Sequence, residues 1–126
     1  MNHQNQRYFA ELIGTFSLVF VGAGAVIANT LTGGAVGLLG IALAHGLILM
    51  AMIYATAHIS GAHVNPAVTF AMWITKRIKT IQAIVYIIFQ LAGAALAGFL
   101  LGFIFGNAGN LGATALSPGV TLIAGI

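Results

Sequence analysis

With four basic residues, one acidic residue and 60% apolar residues among 126, the chain lacks the charged surface, about 25% in ordinary globular domains, that keeps a protein dissolved in water. Its composition is that of an integral membrane protein, bound to a lipid bilayer. Arg7 and the cluster of Lys76, Arg77 and Lys79 form no basic stripe, which excludes nucleic acid as a partner, and the lack of cysteine excludes disulfides, thiolate metal sites and cysteine nucleophiles.

The first apolar stretch, Tyr8 to Asn29, is long enough to cross a hydrocarbon core, which takes about 20 helical residues. Arg7 ahead of it has the look of a signal-peptide start, but the apolar run exceeds the roughly 7–15 residues of a signal core, so it is read as a span. Glu11, the only acidic side chain, falls near its beginning. An unpaired charge in a span is costly, so Glu11 needs hydrogen-bonding partners. The second stretch, Val36 to Ala57, carries His45 near its middle among apolar neighbours.

The segment that follows, His58 to Thr75, is too apolar for an aqueous loop and, with Gly61 and Pro66, too broken for a spanning helix. Asn65 is a preferred N-cap type and Pro66 suits the first helical position, so a helix is predicted from Pro66 to Thr75. At 1.5 Å per residue it would reach about 15 Å, half of a roughly 30 Å core. The prediction is a re-entrant hairpin over residues 58–75: an irregular limb to the midplane and a half-helix back. A surface-lying amphipathic helix is the alternative, but such helices carry several basic residues and this segment has none.

Non-helical backbone at membrane depth needs protein or water around it, so a polar lumen is implied. An extended limb from Ser60 to Val64 would leave its carbonyls unpaired, and those of Gly61, Ala62 and His63 are the candidate pore-lining acceptors. The Asn65 amide could donate to a passing oxygen, and the positive end of the half-helix dipole would repel cations.

The third stretch, Ile81 to Phe105, completes three spans. If residues 58–75 return to the side they leave, all four basic residues share one face, and the positive-inside rule puts the amino terminus in the cytoplasm. Residues 117–126 read as the start of a fourth span, too short to cross.

HISGAHVNPAVT, His58 to Thr69, with AELIGTF, Ala10 to Phe16, resembles the amino-terminal repeat of the aquaporin and glycerol-facilitator (major intrinsic protein) family. The resemblance covers the chain as a single repeat, residues 1–126, and implies an all-α membrane fold with three transmembrane helices and one half-helix carrying Asn65, Pro66 and Ala67. It implies a passive, multi-pass channel of the cell membrane for water and small neutral solutes such as glycerol, urea or ammonia, homotetrameric when complete. It also implies that Glu11 buttresses the re-entrant loop and that His45 stands at the selectivity filter, where a histidine makes the aperture more permissive than a bulky aromatic. Family members have two inverted repeats. Asn-Pro-Ala occurs once here, so a second repeat is either missing, the chain being a truncated half, or supplied in trans.

No cofactor is expected, and no enzyme activity, because one carboxylate and no Ser-His-Asp set are present. No metal site is expected either, since His58 and His63 are five apart and no cysteine or second acid completes a ligand set. Small residues four apart, Ala10 with Gly14, Gly98 with Gly102, and Gly102 with Gly106, are expected to let helices approach closely. The competing reading is a non-transporting membrane subunit that assembles with a partner through these faces.

Overall fold

The computed structural model describes residues 2–114. All of its regular structure is helical: α1 His3–Leu31, α2 Gly37–Ser60, α3 Pro66–Ile74, α4 Thr80–Phe105, and a short 3-10 segment, Ala108–Gly112. Three of these, α1, α2 and α4, are long and apolar enough to cross a membrane. The expected fourth-span start at residues 117–126 lies outside the described residues.

Local chemistry sets where the helices begin and end. The Asn2 side chain accepts from the Gln4 N–H at 3.2 Å, so α1 starts a turn earlier than the apolar run. At its other end the Asn29 side chain accepts from the Gly37 N–H at 2.8 Å, tying the end of α1 to the start of α2 across a tight turn. Helix α2 runs to Ser60, three residues past the expected end at Ala57, because His58, Ile59 and Ser60 include no breaker. The break comes at Gly61, which takes the left-handed conformation, φ 93°, that favours glycine as a helix terminator. His58 therefore lies in the last turn of α2, not in an irregular limb.

Helix α1 is the hub. It packs against α2, α4 and the Ala108–Gly112 segment, and α3 packs against α4. The interior it creates is polar: Glu11, Thr15, Thr56, Ser60, His63, Thr69 and Gln90 are all buried. The outside is apolar, with Leu38, Tyr54, Phe99 and Phe103 each at least three-quarters exposed. Lipid offers no hydrophobic drive between such helices, so close packing and interhelical hydrogen bonds must hold them.

The closest backbone approach is not at the glycines that spacing suggests. A Cβ at Gly98 would meet nothing within 4 Å, and one at Gly102 would meet only the Leu111 methyls. At Gly93, by contrast, a Cβ would collide with the Leu12 carbonyl oxygen of α1 and lie 3.1 Å from the Phe16 nitrogen. Of the pairs that four-residue spacing marks, Ala10 and Gly14 are buried, and a Cβ at Gly14 would lie 2.9 Å from a Val64 methyl. The spacing finds small residues without deciding which of them meet a neighbour. Around this crossing the Tyr8 ring packs against Phe89 and, edge-on, Tyr86, with centroids 5.5 and 6.0 Å apart.

Candidate functional site

Residues 61–65 join α2 to α3 and pass beside the buried stretch of α1 around Glu11 and Gly14. The expected extended limb is not what forms: Ser60 is still helical, and Gly61, Ala62 and Val64 all have positive φ, 93°, 49° and 53°. Holding alanine and valine in the left-handed region costs about 1–2 kcal/mol each. What holds them there is Glu11.

Glu11 is fully buried and accepts four hydrogen bonds. One carboxylate oxygen takes the Ser60 hydroxyl at 2.6 Å and the His63 N–H at 3.0 Å; the other takes the Val64 N–H at 2.6 Å and the Gln90 amide at 2.7 Å. Hydrogen bonds to a charged group contribute about 1.5–3 kcal/mol each, so the two backbone contacts alone offset the conformational cost of the turn. The loop is thus bent by a carboxylate about fifty residues earlier in the chain.

The result is a one-sided loop. The Gly61 N–H donates to the Ala57 carbonyl at 3.0 Å, the Ala62 N–H to the Ser60 hydroxyl at 3.1 Å, and those of His63 and Val64 to Glu11. Among the described residues no donor reaches the carbonyl oxygens of Gly61, Ala62, His63 or Val64. The N–H groups of residues 61–64 are thus all satisfied by protein while the four carbonyls of the same residues are left over.

Asn65 closes the loop and starts α3. Its side-chain oxygen accepts from the Ala67 N–H at 2.8 Å and Pro66 occupies the first turn. With the oxygen engaged, the Asn65 NH2 is left as an outward donor on an exposed residue, and Ala67 beside it is also exposed. Asn65→Ala should remove this cap and lower stability by about 1 kcal/mol, read as a drop in the thermal midpoint in detergent relative to an exposed alanine control such as Leu39→Ala.

His63 turns its ring the other way, into the protein. Its Nδ1 is 3.0 Å from the Thr69 hydroxyl, and its ring packs edge-on to Tyr86 with centroids 5.2 Å apart. Thr69 in turn receives the Gln90 amide at 2.9 Å, and the Tyr86 hydroxyl donates to the Ser60 carbonyl at 2.7 Å. One network therefore links α1, the end of α2, the loop, α3 and α4. The sequence reading assigns no role to Thr69, Tyr86 or Gln90, and gives Ser60 only as the start of the limb. A signal existed: Tyr86 and Gln90 are polar residues in an apolar span, four apart and so on one helical face.

His45 lies apart from this network, exposed on α2, with its Nδ1 2.9 Å from the Ile41 carbonyl. A carbonyl only accepts, so Nδ1 carries the hydrogen. Among the described residues no group of three or more His, Cys, Asp or Glu side chains could hold a metal ion.

A sequence model of the family described as "Major intrinsic protein" matches residues 2–126. The chain is 46% identical to a protein named probable aquaporin NIP4-2 of Arabidopsis thaliana, over 79% of this chain and 35% of that one. It is 43% identical to aquaporin AqpM of Methanothermobacter thermautotrophicus, over 91% of this chain and 55% of that one. With aquaporin Z of Photorhabdus laumondii the identity is 47%, over 73% and 40%. The chain thus spans between about a third and about half the length of these relatives.

Proposed function

The chain belongs to the major intrinsic protein family, and on that premise we propose that it forms one half of the wall of a passive membrane channel for water and small neutral solutes such as glycerol, urea or ammonia. The observation that carries this reading is the one-sided loop. Four carbonyl oxygens without donors, next to an exposed Asn65 amide at a helix start, suit a file of hydrogen-bonding neutral molecules: acceptors replace the solvent contacts that a solute sheds, and the helix dipole opposes cations.

In this reading residues 1–126 are a single repeat. Helix α3 is a half-helix, about 14 Å for its nine residues at 1.5 Å each, that starts near the bilayer midplane and returns to the side it left. The amino terminus and the basic cluster face the cytoplasm, by the positive-inside rule. Asn65, Pro66 and Ala67 mark the centre of the passage, the carbonyls of Gly61, Ala62 and His63 lead to it, His45 borders its constriction and Glu11 buttresses the loop. A second, inverted repeat closes the lumen, from the same polypeptide or another, and the complete channel is a homotetramer of the cell membrane.

The test is stopped-flow light scattering on proteoliposomes holding the chain joined to its second repeat. Water and glycerol flux well above empty vesicles is expected, and flux no greater than empty vesicles would overturn the reading in favour of a non-transporting subunit. In the same vesicles His45→Phe should fill the constriction and cut glycerol flux by roughly tenfold more than water flux, the scale on which a fitted site discriminates small differences in size. An unchanged ratio would remove His45 from the constriction.

A further inference from the structure

We propose that Gly22 is a specificity-determining residue, because its missing side chain is the space into which the His45 ring withdraws from the passage. The proposal rests on the reading of His45 as a constriction residue. Gly22 is buried in α1, opposite α2. A Cβ there would overlap His45 Nε2 and come within 2.6 Å of Cδ2 and 3.0 Å of Cε1, so all three of its nearest neighbours belong to one imidazole. The opposite corner of the ring is tethered, since Nδ1 donates to the Ile41 carbonyl at 2.9 Å.

The ring is therefore held between a tether on its own helix and a gap on the neighbouring one. Gly46, next in the chain, has open space within 4 Å of its Cβ position, and His45 itself is exposed. A methyl on Gly22 leaves the imidazole one way to move: off α1, with loss of the Ile41 bond, toward the open side that becomes the lumen. The width available to a solute is then a property of the Gly22–His45 pair and not of His45 alone. The same packing aims Nε2 at α1, so this histidine acts chiefly by yielding space.

The pair is tested by a double-mutant cycle on the complete channel, reading the glycerol-to-water permeability ratio within the same vesicles so that losses of folded protein cancel. Gly22→Ala should lower the ratio by roughly tenfold, the discrimination that about one methylene commands in a fitted site. In a His45→Ala background the added methyl has no ring to strike, and Gly22→Ala should leave the ratio unchanged. An unchanged ratio in the single variant, or an equal fall in both backgrounds, would overturn the proposal. If Gly22→Ala abolishes all flux, restoration by His45→Ala supports the steric coupling and continued loss refutes it. Failure of the wild-type channel to conduct at all would instead refute the channel reading beneath it.

Discussion

Glu11→Leu should leave little or no monodisperse protein, because it strands four buried donors at once. The Ser60 hydroxyl, the His63 and Val64 N–H groups and one hydrogen of the Gln90 amide all end on this carboxylate. Each unsatisfied buried donor costs about 1–3 kcal/mol, so even with partial relaxation the loss should exceed about 3 kcal/mol. The left-handed turn at Ala62 and Val64 would also lose what offsets its strain. Glu11→Gln discriminates the carboxylate from mere bulk. Its one oxygen can serve one pair of donors, while its NH2 would confront a second pair that includes a backbone N–H. The glutamine variant should therefore rank between wild type and leucine in thermal midpoint and in size-exclusion yield. A leucine variant that is as stable as wild type would show that Glu11 does not hold the loop.

The second large effect is expected at Gly93. The atoms in the way of a Cβ are backbone, the Leu12 carbonyl group and the Phe16 nitrogen, so no rotamer change makes room. Gly93→Ala must push α1 and α4 apart, and overpacking of this kind costs about 1–3 kcal/mol before any knock-on effect. Here there is one. Gln90 sits a turn before Gly93 on α4 and reaches Glu11 a residue before Leu12 on α1, so the helices separate where their shared hydrogen bond lies. Loss should therefore exceed that of Gly98→Ala, whose Cβ position is empty and which should be neutral or slightly stabilising in a helix. Comparable midpoints for the two alanine variants would contradict the crossing geometry.

How much of this was legible beforehand depends on whether the cause is local. Three long apolar helices follow from run length, and the start of α3 follows from Asn65 beside Pro66, since capping uses atoms two residues apart. The end of α2 lies three residues beyond the expected Ala57 because no local signal separates His58 from Ser60, and the turn waits for Gly61. The left-handed Ala62 and Val64 run against their own preferences and are imposed by a distant carboxylate, so nothing in the segment announces them. Glu11 could be flagged as needing partners, yet Ser60 and Gln90 are brought to it, and Thr69 to Gln90, only by helix packing. Likewise, of the glycines that spacing names, Gly14 is buried against Val64 while Gly98 and Gly102 face open space or only the Leu111 methyls, and contact adds Gly22 and Gly93.

The reach of the Glu11 contacts also has a consequence in time. Its partners follow it in the chain by 49 residues at Ser60, 52 at His63, 53 at Val64 and 79 at Gln90. At synthesis rates of about 5–20 residues per second, the amide that completes the shell emerges about 4–16 s after the carboxylate. During that interval α1 carries an acid whose partners do not yet exist, so its release into lipid is disfavoured until α2, the loop and α4 have been made. Biogenesis of this protein should accordingly proceed with α1 retained beside the insertion machinery and the helices released together, and α1 should crosslink to that machinery for longer than the same helix carrying Glu11→Leu.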